Sequence, residues 1–111
     1  MKKIKPFKIP AQSEAEITRA IRYLLKSQGI WHYKVLGGFG TVKGIPDIIG
    51  CFGGRLIAIE VKTKKGKLSP EQEIHIDRIN KAGGLAFVAR GIQDVIKGLG
   101  IEDRFLFEGK I

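Results

Sequence analysis

The stretch GIPDIIGCFGGRLIAIEVK, residues 44–62, decides how the chain folds. Two apolar runs flank the pair Gly53-Gly54. Both central residues of a tight type I′ turn need positive φ, so two adjacent glycines between apolar runs predict a β-hairpin. Counting outward from that turn pairs Phe52 with Arg55, Cys51 with Leu56, Ile49 with Ala58, and Asp47 with Glu60. Directly opposed Cβ atoms in such a ladder lie about 4.5–5.5 Å apart. Lys62 stands two residues beyond Glu60 and so shares its face.

Like charges placed opposite one another destabilise a sheet, and burying them costs more. A divalent cation removes the conflict. Carboxylate oxygens at this spacing suit Mg²⁺ or Mn²⁺, hard ions that keep several waters and accept phosphate oxygens. A lysine beside them fits if it faces a water or a phosphate group. Metal-assisted phosphodiester hydrolysis accounts for Asp47, Glu60 and Lys62 together. The competing reading is a plain ionic cluster in which Lys62 neutralises one acid at a strand end.

Outward from the hairpin, SEAEITRAIRYLLKSQG reads as a helix. Ser13 caps it, Glu16 completes a capping box, Ile17, Ile21, Leu24 and Leu25 form its apolar face, and Gly29 stops it. IWHYKVL reads as a strand. GGFGTVKG is glycine-rich but lacks the Lys-Ser/Thr ending of a phosphate-cradling P-loop and does not open a helix. Residues 46–52 and 55–63 are the hairpin strands, and KKGK is a basic loop. LSPEQEIHIDRINKAGG is a second helix with Ser69 as cap and Pro70 at its first position. LAFVAR is a strand and IQDVIKGLG a short helix. The tail IEDRFLFEGKI adds a strand or packs loosely. The order helix, three strands, helix, strand, helix gives an α/β fold: a mixed central sheet flanked by helices. Residues 1–12 read as a flexible basic arm and 13–111 as a single domain.

With 111 residues, a modest core is expected, and dimerisation would help it. Twenty Lys and Arg against eleven Asp and Glu give a formal charge of +9, which points to a polyanionic partner, most often nucleic acid. No apolar run is long enough to span a bilayer, and the basic N-terminus lacks the apolar core of a signal peptide. One cysteine, Cys51, excludes an internal disulfide framework and suggests a reducing cytoplasm, bacterial or that of a host cell if the chain is phage-encoded.

Pro46-Asp47 followed by Glu60-Val61-Lys62 resembles the signature of the PD-(D/E)XK nuclease superfamily. GIPD after a glycine-rich loop, IAIEVKTKKGKLSPEQ after the hairpin, and a leading helix bearing an acid narrow the resemblance to the VRR-NUC family. It spans roughly residues 13–90. The resemblance implies a helix, three strands, helix, strand core and a divalent-metal nuclease that cuts DNA. It implies that Asp47, Glu60 and the Val61 backbone carbonyl hold Mg²⁺ or Mn²⁺, that Lys62 positions the attacking water, that Gln72 stands near the site, and that Glu14 contributes from the first helix. Small stand-alone members are similar to enzymes that resolve four-way (Holliday) junctions as homodimers. That substrate and assembly are the expectation here, with a non-catalytic nucleic-acid-binding module, or a restriction-type or flap nuclease, as the alternatives.

The choice of Glu14 over Glu16 rests on spacing. Glu14 lies three and seven residues before Ile17 and Ile21, on the inward stripe, whereas Glu16 caps the helix. An acid favoured by the helix dipole is the alternative for Glu14. Gln72 occupies a capping-box position after Ser69, but it also shares a face with Ile76 and Ile79 that points toward the sheet. Lys43, Lys64, Lys65 and Lys67 are candidate DNA contacts, with Lys34 and Arg90 behind them. Lysine positions a phosphate backbone without reading sequence. Trp31, Tyr33 and Phe39 read as core or dimer-interface residues, with stacking on unpaired bases as the alternative. His32 and His75 lack zinc-ligand spacing, His75 reads as helix surface, and Cys51 as a buried structural thiol.

Overall fold

The computed structural model describes residues 11–38 and 40–105. The first helix, α1 (Glu14–Ser27), opens with the expected capping box. Ser13 Oγ accepts from the Glu16 N–H at 3.1 Å, and Glu16 Oε1 accepts from the Ser13 N–H at 2.9 Å. Those contacts hold the Glu16 carboxyl below the ordinary range. A short strand β1 (His32–Lys34) follows. The hairpin strands are β2 (Ile48–Phe52) and β3 (Arg55–Val61). After the basic loop come helix α2 (Pro70–Lys81), strand β4 (Leu85–Ala89), helix α3 (Ile92–Leu99) and a 3-10 turn at Glu102–Phe105. None of the described helices is long and apolar enough to cross a membrane.

The four strands lie in the order β1-β2-β3-β4. The first three are antiparallel, and β4 joins β3 in parallel after the α2 crossover. The hairpin register is the one counted from the sequence: Phe52 faces Arg55, Cys51 faces Leu56 and Ile49 faces Ala58. Gly53 and Gly54 have φ of 61° and 76°, the left-handed values the turn requires.

Alternation divides the sheet into two faces. Ile48, Ile57, Ile59, Val61 and Ala89 point toward α1 and α3, where Ile17, Ile21, Leu25, Val95 and Leu99 complete one buried cluster. Among the described helices, α2 packs on the other face, over β3 and β4. A helix is about 10 Å across with its side chains, and strands lie about 4.8 Å apart, so one helix covers about two strands. Among the described residues no helix lies over the β1–β2 half of this face. Trp31 is 65% exposed and Tyr33 47%, and Leu56, near the start of β3, is 45% exposed. Trp31 and Tyr33 pack on each other, with ring centroids 5.7 Å apart. In the single chain neither is a core residue. Cys51, in β2, is an exposed free thiol and not the buried one expected.

Several boundaries are tighter than the sequence suggests. The strand expected over residues 30–36 keeps a regular ladder only at His32–Lys34. Single bonds extend it, from Cys51 N–H to the Trp31 carbonyl and from Val35 N–H to the Asp47 carbonyl. At the tail, residues 102–105 form a 3-10 turn where a strand was one expectation, and residues 106–111 lie outside the described residues, as do Phe39 and most of the basic arm. His75 is half-buried, because α2 turns it partly toward the sheet.

Candidate functional site

At the end of the hairpin the ladder pairs Ile48 with Ile59. One step further puts Asp47 across from Glu60 and Pro46 across from Val61. Proline has no N–H, so the ladder has no donor to offer the Val61 carbonyl. The Val61 N–H is claimed instead by a side chain, donating to Asp47 Oδ2 at 2.8 Å. Pro46 thus offers the ladder no donor at this end of the hairpin. Gly44 brings the chain into this position. Its φ is +89°, and a Cβ there would sit 2.6 Å from the Glu71 carbonyl carbon, so only glycine lets the loop lie against the first turn of α2.

Glu60 is 2% exposed, a rare state for an acid. One of its oxygens is well served. Oε2 accepts from Gln72 Nε2 at 3.1 Å and lies 3.7 Å from Lys62 Nζ. The other, Oε1, is buried without a hydrogen-bond partner among the described residues. Burial raises the Glu60 pKa to about 8 from an ordinary 4.5, and the charges of Asp47 and, more weakly, Glu14 push the same way, while Lys62 opposes them. An unpartnered buried carboxylate oxygen is costly. Without a cation, Glu60 answers this by keeping its proton and sharing it with the neighbouring Asp47 carboxylate. A divalent cation would satisfy Oε1, together with Asp47 and the Val61 carbonyl. Among the described residues no group of three or more His, Cys, Asp or Glu side chains converges on one point. Asp47, Glu60 and the Val61 carbonyl could hold a hard ion that retains much of its water.

Gln72 serves both roles that the sequence suggested as alternatives. Its Oε1 accepts from the Ser69 N–H at 2.9 Å, closing the α2 capping box, while its Nε2 holds Glu60. Glu14 is placed differently from expectation. It is the first residue of α1 and is exposed, while Ile17 and Thr18 are the first residues of the helix to be buried. The charge of Glu14 still reaches the site, where it raises the Glu60 pKa.

The cations divide into two groups. Lys64, Lys65 and Lys67 are exposed on the loop after β3. Lys43 is exposed as well and lies 3.9 Å from Glu71. Arg90, a possible phosphate contact by sequence, spends its guanidinium on backbone carbonyls of the basic loop. No local sequence signal marks that role, because it joins residues more than twenty positions apart.

A profile of the VRR-NUC domain matches residues 13–93. The chain belongs to the VRR-NUC family. A solved structure described as a VRR_NUC domain protein superposes with a TM-score of 0.70, at 23% identity, over 90% of this chain and 96% of its own. That similarity supports the α/β fold with its four-stranded mixed sheet. No curated protein matches the sequence. Membership places the VRR-NUC chain among nuclease-type domains that act on DNA, and its residues 46–47 and 60–62 are those that carried the resemblance in the sequence.

Proposed function

We propose that this VRR-NUC domain is a divalent-cation-dependent endonuclease that hydrolyses phosphodiester bonds in branched DNA, acting on four-way junctions as a homodimer. The observation that carries the cation dependence is Glu60 Oε1, buried and unpartnered across from Asp47. Asp47, Glu60 and the Val61 carbonyl would hold Mg²⁺ or Mn²⁺. Bound there, the cation supplies positive charge to the scissile phosphate and lowers the pKa of a nearby water.

The chain's own residues supply the rest. Gln72 fixes the Glu60 carboxylate by one oxygen and keeps the other turned to the site. Lys62 is held close to Glu60 and orients the attacking water, then faces the negative charge that builds on the phosphate oxygens as the new P–O bond forms and the bond to the sugar oxygen breaks. Lys43, Lys64, Lys65 and Lys67 hold the flanking phosphates. Glu14, on the rim, adds negative field that favours a cation at the site.

The homodimer is supported by the exposed side chains Trp31, Tyr33 and Leu56, at β1 and the start of β3, an apolar surface that a second copy would bury. Two sites related by a two-fold axis would meet two strands of a symmetric junction.

The test is a cleavage panel of four-way, flap, single-stranded and linear DNA with Mg²⁺ or Mn²⁺, alongside Asp47→Ala and Lys62→Ala and a mass measurement in solution. Junction cutting by a dimer, lost in both variants and in excess EDTA, is the expected result. Full activity in either variant or in EDTA would sink the cation mechanism, and a monomer that cuts only flaps would sink the junction reading.

A further inference from the structure

Strand β4 ends at Ala89, whose carbonyl accepts the Lys62 N–H at 3.1 Å. The next residue, Arg90, is anchored through its own N–H to Asp94 Oδ2 at 2.8 Å. Its Nη1 then reaches three carbonyls of the basic loop: Thr63 at 2.6 Å, Gly66 at 2.7 Å and Lys64 at 3.3 Å. The loop closes on itself as Gly66 N–H donates to the Thr63 carbonyl at 3.1 Å. It also lies against the stem of Lys62, since a Cβ on Gly66 would sit 3.4 Å from Lys62 Cδ.

Lys62, Lys64, Lys65 and Lys67 stand within six residues of one another and repel. Left alone, such a segment would splay and sample many conformations. Arg90 adds a further positive charge at its centre, but it meets carbonyl oxygens and not ammonium groups. Turning the carbonyls inward to Arg90 directs Lys64 and Lys65 outward, where both line a groove of about 950 Å³ shared with Gln12 and Ile92. A substrate strand leaving the scissile phosphate would run beside that wall.

We propose that Arg90 is a positioning residue, holding the Thr63–Gly66 loop so that Lys64 and Lys65 present a preformed contact to a DNA phosphate next to the cleavage site. The proposal rests on the nuclease reading above. Arg90 also lines that groove, but its Nη1 is spent on the three carbonyls, so it acts through the lysines. It lowers the ordering cost of binding by fixing the lysines beforehand.

The experiment compares Arg90→Met, Arg90→Lys, the pair Lys64→Ser/Lys65→Ser, and Arg90→Met in that paired background. Steady-state cleavage and amide hydrogen exchange of residues 63–67 are read on each. Arg90→Met is expected to raise KM about tenfold with kcat changed less than about threefold, and to speed exchange in the loop about tenfold or more. Arg90→Lys, whose ammonium carries three donors, should recover most of both effects. In the paired background Arg90→Met should add no further loss of KM, because it acts through those lysines. A raised KM with unchanged loop exchange, or an additive loss in the paired background, would mean that Arg90 binds DNA directly and overturns the proposal. If the wild-type chain cuts no DNA, the nuclease reading fails on its own. The same variants then judge the clamp by loop exchange and by the salt dependence of DNA binding, where unchanged values in Arg90→Met reject it.

Discussion

Asp47 Oδ2 accepts the Val61 N–H at 2.8 Å, so an acid at the site also closes the last open position of the hairpin. The two duties separate by substitution. Asp47→Asn keeps an acceptor oxygen, and the folded chain should melt near the wild-type temperature while DNA cleavage falls by about 10²–10³. Asp47→Ala strips the acceptor as well and should cost a further ~1–3 kcal/mol in chemical denaturation. Equal stability of the two variants would show that the hydrogen bond contributes nothing.

Glu60 gives the cation-free protein a distinctive pH response. Its carboxyl is raised to about 8 by burial and by Asp47, against 4.5 in an exposed setting. Between those values the folded chain holds a proton that the unfolded chain has released. The contribution of Glu60 to stability is therefore fully present below about pH 4.5 and is lost as pH rises through about 8. Melting in EDTA should fall with pH across that window more steeply for wild type than for Glu60→Gln. A cation must displace the same proton, so Mn²⁺ affinity measured by calorimetry should climb over the same range with proton release. Parallel melting curves for the two proteins would refute the assignment.

Pro46 is expected to matter for what it lacks. Pro46→Ala supplies an N–H opposite Val61, which can extend the ladder by one bond and occupy the Val61 carbonyl. Mn²⁺ binding should weaken about tenfold, with a newly protected amide at position 46 in hydrogen exchange. Unchanged affinity would remove the Val61 carbonyl from the cation site.

Much of this arrangement was legible because the hairpin is over-determined. Gly53-Gly54 fixed the turn, and counting outward from it gave the observed register through Ile48 and Ile59, one step short of Asp47 and Glu60. What could not be counted was coverage. The sequence of β1 and β2 is as apolar as that of β3, and nothing local says that α2 would lie over β3 and β4 only. Trp31, Tyr33 and Cys51 were therefore read as more buried than they are. Glu14 lies at the exposed first turn of α1 and still acts on Glu60 by its charge; a helical stripe gives direction but not depth of burial. Arg90 was invisible as a clamp because its partners are backbone carbonyls, which carry no residue identity.

The fully buried Ile59 offers a check on the core itself. Ile59→Ala should cost about 2–5 kcal/mol in denaturant unfolding. Its side chain points away from the acids, toward α1 and α3. Cleavage at a temperature where the variant remains folded should stay close to wild type. A large loss of activity with little loss of stability would mean that the sheet transmits packing on one face to chemistry on the other.

Gln72 leaves the protein little freedom at one position. Its carbonyl oxygen starts α2 and its amide nitrogen steadies Glu60, so a replacement must accept at one end and donate at the other. Glutamate can begin the helix but would set a third negative group against Glu60. Alanine would abandon both ends at once. Any attempt to make this chain hardier by redesigning the helix start therefore edits its chemistry too, and thermostability and turnover cannot be optimised separately there.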